Sequence, residues 1–368
     1  MKILYVSAHI NRKDKSGITV GTNSNFNALK NAIGNHNIEK LYIENAYSNR
    51  LNKIMNLLFF KNYGGISAKI EKRIMSQIEI FKYDYVYIDV SYWGNLIKLL
   101  YKKQIKTIAF FQDVEVNRLS SIFNIEIKQY KILSAVNTLI KMYIARLNES
   151  KTIHYANIII GLSKRDSNEA KKIYKREFDY IIPAFMSDDF NEKTNQKYTN
   201  KQRKLLFVGV ASYQPNISGL NRFIKKVMPY VNATLSIVGY GMEKYKNEFE
   251  SISNNVFVVG TVDDISIQYY NSDIVVAPIY SGGGMKIKVL EALMYGKTIL
   301  GTSEAFEGFD LNYDLVGGLC NTDEEFIEKI NYIEVSKTNV YSRNSFIELY
   351  STKSVTEKYK DILKLNNS

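Results

Sequence analysis

The stretch with the clearest chemical purpose is SGGGMKIKVLEALMYGKTILGT, residues 281–302, which follows the apolar run IVVAP at 274–278. Three consecutive glycines, Gly282, Gly283 and Gly284, lead straight into an amphipathic segment that begins Met285-Lys286. Amides at the start of a helix, with no Cβ to keep a ligand away, suit a diphosphate. Lys286 and Lys288 would fall in the first helical turn, where a cation opposes the helix dipole. Two of them there point to a ligand anion that offsets the repulsion. Glu291, further along the same segment, could accept hydrogen bonds from two neighbouring hydroxyls, as a ribose offers. Gly296 would close the helix as its C-cap. The plain alternative is a glycine-rich turn with solvated lysines.

Other candidates carry less information. A strand ending at Ser7 is followed by Ser16 and Gly17 before a helix, and FVGVAS (207–212, with Gly209) by Pro215 and Asn216. Such strand-to-helix loops can bind phosphate, yet neither matches GxGxxG or GxxxxGK[ST]. Asp113 and Glu115 come just after an expected strand, where open α/β sheets place ligands. Their carboxylates could orient a hydroxyl, or simply cap the next helix. His9 ends the first strand, as a ligand contact or a satisfied buried histidine. The single cysteine, Cys320, reads as structural and, with only three histidines, argues against a disulfide framework and a Cys- or His-based metal site.

These residues need a scaffold, and the chain is long enough for two domains: 368 residues, 45% of them hydrophobic. Short apolar runs alternate with longer amphipathic ones. Strands are expected at 3–7, 40–43, 85–90, 107–111, 157–162 and 180–182. Helices are expected near 22–34, 66–81, 92–103, 120–150 and 163–176. The polar stretch 188–204 reads as a linker. The alternation then restarts, with strands at 205–208, 234–238, 256–259, 274–277, 298–300 and 315–317. Helices follow near 216–228, 242–252, 264–271, 285–295 and 323–335, and a last helical stretch spans 339–366. The pattern is α/β, with two successive doubly wound parallel sheets.

Charge is distributed unevenly. Residues 1–185 hold 29 of the 49 Lys and Arg and 15 of the 37 Asp and Glu, a net of +14, whereas 186–368 hold 20 and 22, a net of −2. A basic first half attracts phosphates of nucleic acid or lipid headgroups, although a codon bias toward Lys would also raise the count. No apolar run reaches the length of a membrane span, and the first residues lack the apolar core of a secretory signal. Apolar stripes with basic flanks at 50–61, and at 120–150 with Lys128, Lys131, Lys141 and Arg146, could lie on an anionic membrane or pack in a core.

The segment from Gly282 to Thr302, with EGF at 307–309, resembles the donor-binding segment of GT-B glycosyltransferases, especially the retaining family-4 (glycosyl transferases group 1) enzymes. LFVGVASYQPNISGLNRFI (205–224) resembles the opening of the same group's C-terminal domain. SIVGYG (236–241) and VFVVGTVDD (256–264) resemble its later strand–turn units. AFFQDVEVNRLS (109–120) and ANIIIGLSKRDSNEA (156–170) resemble its first domain more faintly.

The resemblance implies two Rossmann-like domains facing a cleft. The expected division is an acceptor domain at 1–187, a linker at 188–204, a nucleotide-sugar domain at 205–338, and C-terminal helices at 339–368 whose last member packs back on the first domain. Gly209, Asn216, Val262, Gly282, Gly283, Gly284, Met285, Lys286, Lys288 and Glu291 would hold the donor. Glu291 would take the ribose, and Val262 and its neighbours would offer backbone groups to the base. Ser16 and Gly17 would form an acceptor or phosphate loop, and Asp113 or Glu115 would serve the acceptor hydroxyl. No cofactor or metal is expected beyond the nucleotide sugar, UDP-linked, as substrate. The partners implied are that donor, a glycan or lipid-linked glycan acceptor and an anionic membrane surface, without nucleic acid, at the cytoplasmic face of the membrane.

Two departures stand out. The family's Glu-x7-Glu pattern places Gly283 where its first glutamate belongs. The usual Arg…Lys pair after the first strand of the second domain is replaced by Ser212, Tyr213, Gln214 and Asn216. The leading expectation is a hexosyltransferase of surface polysaccharide. A nucleotide-sugar 2-epimerase, a catalytically inactive binding or scaffold subunit, and a nucleic-acid binder are the alternatives; the last lacks any helix-turn-helix, RRM or zinc motif.

Overall fold

A computed structural model of the chain describes residues 1–7, 17–43, 68–191 and 202–365. His9, Ser16 and the 50–61 stripe lie outside them. The chain forms two compact units, Met1–Pro183 with Val355–Ser368, and Ala184–Ser354.

Unit 1 is built on β1 (Ile3–Ser7), β2 (Ile38–Tyr42), β3 (Tyr85–Ile88), β4 (Thr107–Phe111), β5 (Ile158–Gly161) and β6 (Tyr180–Ile181). All neighbours pair in parallel, in the order β2-β1-β3-β4-β5-β6. Every residue of β1, β3, β4 and β5 is buried, which is why these strands read as continuous apolar runs rather than alternating ones. The chain leaves β1 toward β2 but leaves β3 toward β4. The C-terminal ends of β1 and β3 are therefore a topological switch point. Leu4, Val6, Val86, Ile88 and Phe111 pack with Trp93, Leu96, Ile97 and Leu100. Elsewhere in the core Tyr5 stacks on Tyr87 at 4.7 Å, and Tyr87 Oη lies 3.0 Å from Tyr359 Oη of the last helix.

The single helix expected over 120–150 is two helices, Glu115–Lys128 and Ile132–Tyr155. Tyr130 turns the chain with φ 56°. Its N–H donates to Ile127 O at 3.0 Å and that of Lys131 to Glu126 O at 2.9 Å, the paired bonds of a Schellman cap. Glycine normally fills that left-handed position. A tyrosine there left no sequence mark of the break.

Unit 2 holds β7 (Arg203–Val208), β8 (Ala233–Val238), β9 (Val256–Gly260), β10 (Ile274–Ala277), β11 (Thr298–Gly301) and β12 (Gly317–Leu319), in the parallel order β12-β11-β10-β7-β8-β9. Its switch point lies between β7 and β10. β7 begins inside the stretch read as linker, of which residues 192–201 lie outside the described residues. The strand expected at 315–317 is a helical turn, Tyr313–Val316, capped by Asn312, with β12 directly after it. The terminal helical stretch is three pieces, Val340–Ser345, a π-turn at Phe346–Tyr350 and Thr352–Leu365.

Candidate active site

Both glycine loops of unit 2 emerge at its switch point. After β7 the chain passes Gly209 and enters helix Gln214–Lys226, with Pro215 in the first turn, where its missing N–H has no partner to lose. After β10 it passes Gly282–Gly284 and enters helix Ile287–Met294. Gly282 (φ 127°) and Gly284 (φ 68°) adopt backbone that other residues rarely reach. A Cβ on Gly282 would stand 1.9 Å from Tyr213 Oη, so the loop is seated on that tyrosine, whereas Cβ atoms on Gly283 and Gly284 would meet nothing within 4 Å. Among the described residues the N–H groups of Gly283, Gly284, Met285 and Lys286 donate no hydrogen bond. They form a row of unused donors beside open space. The helix ends as expected, with Gly296 N–H on Leu293 O at 3.0 Å and Lys297 N–H on Ala292 O at 2.8 Å.

Neither lysine is a solvated side chain: Lys286 and Lys288 are 7% and 8% exposed. Lys286 Nζ donates to Gly284 O at 2.7 Å, bracing the loop, and pairs with Glu304 at 3.0 Å. Lys288 Nζ donates to Asn216 Oδ1 at 2.7 Å and sits 3.9 Å from the centroid of Phe207. It has no carboxylate partner among the described residues. An ammonium has three donors, and this one uses a single neutral acceptor inside the protein. Burial, then the neighbouring Lys286, push its pKa well below the usual lysine range, against the pull of Glu291. An arriving anion would restore the charge. Asn216 is locked in turn, its Nδ2 donating to Val210 O at 2.8 Å; a Cβ on Gly209 would meet that nitrogen at 2.6 Å. Gly209, Asn216 and Lys288 therefore act as one fitted piece.

Glu291 Oε2 accepts from Tyr269 Oη at 2.7 Å. Burial raises its pKa, with the Tyr269 bond and Lys288 opposing. Tyr269 is its one hydrogen-bond partner among the described residues, so Oε1 stays available for a ligand hydroxyl. Tyr269 is itself held by stacking on Tyr295 at 4.8 Å. Val262 is half-buried in the loop after β9, and among the described residues its N–H and C=O make no backbone hydrogen bond.

In unit 1 the two expected carboxylates part company. Glu115 is 5% exposed and its carboxylate is taken by Arg118 Nε at 2.8 Å. It anchors the start of its helix, where its N–H donates to Glu149 Oε1 at 2.8 Å. Burial pushes Glu149, which also accepts from Tyr174 Oη at 2.7 Å, up to about 7. Asp113 stays half-buried in the loop after β4. Gly17 opens helix Gly17–Ile33.

Sequence reasoning passed over Asp89, which sits at the switch point of unit 1. It is fully buried, accepts from Thr22 Oγ1 at 2.5 Å, Ser7 Oγ at 3.2 Å and Gln112 Nε2 at 3.4 Å, and its Oδ1 has no partner among the described residues. Burial pushes it up to about 6 despite those bonds. Its one signal was a carboxylate closing the apolar run YVYID. Tyr269 and Glu304, whose partners lie 22 and 18 residues away along the chain, gave no signal.

Residues 202–333 match the family described as Glycosyl transferases group 1. The match lies within the second unit. The match contains the whole constellation from Gly209 to Glu291. A protein of the cps region of Klebsiella pneumoniae, described as an uncharacterized 44.6 kDa protein, is 24% identical over 292 residues, 74% of this chain and 72% of that one. In fold the chain is similar to the lipopolysaccharide outer core galactosyltransferase WaaB, with a TM-score of 0.68 at 14% identity over 100% of both chains. It is similar also to Anabaena Alr3699/HepE solved in complex with UDP, with a TM-score of 0.64 at 12% identity over 99% of this chain and 100% of that one. The two parallel six-stranded sheets are thus those of the GT-B glycosyltransferase fold, and this fold together with the group 1 match supports a transferase.

Proposed function

We propose that the chain moves a hexosyl group from a UDP-linked nucleotide sugar to a glycan acceptor, a lipid-linked intermediate of bacterial surface polysaccharide, with retention at the anomeric carbon. The observation that carries the reading is Lys288: a buried ammonium with one neutral partner, beside a row of undonated amides. Such a place stabilises an anion that gains charge, and the departing UDP does so as the bond from the sugar C1 to the diphosphate oxygen breaks. The acceptor oxygen bonds C1 on the same face, and its proton passes to the released diphosphate. Glu291 Oε1 takes the ribose hydroxyls, and Val262 offers backbone groups to the base. Asp113, the remaining candidate once Glu115 is paired with Arg118, orients the acceptor hydroxyl. The transfer needs no metal, and the chain works at the cytoplasmic face of the membrane.

HepE with UDP bound and the cps-region relative favour this donor and this product class. Gly283, which leaves the sugar without the customary carboxylate, favours a second reading, a binding subunit without turnover. A screen of nucleotide sugars for thermal stabilisation, followed by UDP release with a glycan acceptor, separates the two. Stabilisation with turnover is expected. Stabilisation without turnover across acceptors would favour the binding subunit, and no stabilisation by any nucleotide sugar would sink both.

A further inference from the structure

The two-helix hairpin of unit 1 presents an apolar face that stays exposed among the described residues. On helix Ile132–Tyr155, Leu133, Val136, Leu139, Ile140 and Tyr143 are 89, 51, 52, 38 and 55% exposed. Their spacing follows the helical period, so they form one apolar stripe, about 15 Å long at 1.5 Å per residue. Tyr130, 89% exposed, stands at the turn. The opposite side of the helix does the packing: Ala135 and Thr138 are buried, and Thr138 Oγ1 donates to Glu126 Oε2 at 2.7 Å. The core explanation of these apolar residues therefore fails.

The surrounding charge is nearly all of one sign. Glu126 is the only acid between 121 and 148. Its other oxygen accepts from Ser134 Oγ at 2.5 Å. Lys128, Lys131, Lys141 and Arg146 form no salt bridge among the described residues.

We infer that this face docks on an anionic lipid bilayer, the stripe and Tyr130 entering the interfacial layer and the four cations meeting headgroup phosphates. A second copy of the chain seated on the stripe would crowd like charges together, and the excess of +14 over residues 1–185 would add to that repulsion. An anionic surface meets both with the opposite sign. The inference deepens the peripheral part of the proposed function and stands apart from the transfer reaction.

Flotation of the full chain with vesicles tests it, using phosphatidylcholine alone against phosphatidylcholine with about 30% phosphatidylglycerol. Binding to the anionic vesicles is expected, weakening as salt rises. Lys128→Gln with Lys131→Gln should weaken it about fivefold for each lysine. Leu133→Ser with Leu139→Ser should weaken it at least about tenfold. Both pairs are exposed, so an unchanged melting temperature shows the fold intact, and Tyr130→Trp gives a second readout, a blue shift of its fluorescence on the vesicles. Equal flotation with neutral vesicles, or of both double variants and wild type, would overturn the inference. So would a dimer that the Leu variant dissociates. Stabilisation by UDP is read on the same samples: vesicle binding without it supports the docking face while counting against the transfer reading.

Discussion

The two units share a sheet architecture and oppose each other in charge. Unit 1 belongs to the basic half of the chain, yet its switch point holds a buried carboxylate, Asp89. The half that contains unit 2 is nearly neutral, and its switch point holds two buried lysines. The net charge of a region thus says little about the site it builds. Surface charge acts at long range on membranes and polyanions, whereas a buried charge acts on the few atoms that replace its lost water. A buried charge sets what a crevice favours: an anion beside lysines, hydrogen-bond donors beside a carboxylate.

Lys288→Met tests the cationic side most severely. Transfer should fall about 10²–10³-fold, the usual cost of removing one donor from a charge-stabilising site. Affinity for UDP, by titration calorimetry, should drop far more than that for uridine. Equal losses would put Lys288 outside the diphosphate site and break the contrast.

The carboxylate side is tested by pH. Asp89, raised to about 6 by burial, holds its proton in the folded chain where the unfolded chain has lost it. Its contribution to stability is therefore fullest below pH ~4 and is lost as pH rises to ~6. Asp89→Asn should flatten this slope, which amounts to about 2–3 kcal/mol, in denaturant midpoints followed from pH 4.5 to 8. A slope unchanged by the substitution would mean that Asp89 is not the titrating group.

Smaller effects sharpen the assignment within unit 2. Glu291→Gln should weaken uridine and UDP alike by about tenfold, in line with one charged hydrogen-bonding group, so its pattern differs from that of Lys288→Met. Since burial lowers the Lys288 pKa, UDP affinity should fall as pH rises, by up to about tenfold per unit above that pKa; in Lys288→Met this dependence should vanish. Chelation by EDTA should leave the transfer rate unchanged, and a loss restored by magnesium would contradict the metal-free reaction.

Much of the fold was legible because buried parallel strands announce themselves. ILYVS, TIAFF and IVVA are apolar on both faces and lie where they were expected, at Ile3–Ser7, Thr107–Phe111 and Ile274–Ala277. The loop Gly282–Gly284, the helix it enters and the stop at Gly296 were legible too, since glycine frees backbone conformations in a way that depends only on residue type. The hairpin break at Tyr130 and the helical turn at Tyr313–Val316 were not, because the capping bonds there replaced the residue type that normally marks them.

Residue type and local spacing determined by themselves that this chain has two α/β sheets, a glycine loop suited to an anion, and a first half with excess positive charge. Only the tertiary structure decided which charges count. Lys288 meets Asn216 across 72 positions, Glu291 meets Tyr269 across 22, and Asp89 meets Thr22 across 67. Burial likewise turned Lys286 and Lys288 inward and left Leu133 and Val136 outside. Desolvation depends on every atom packed around a group, and one-dimensional spacing does not carry that information.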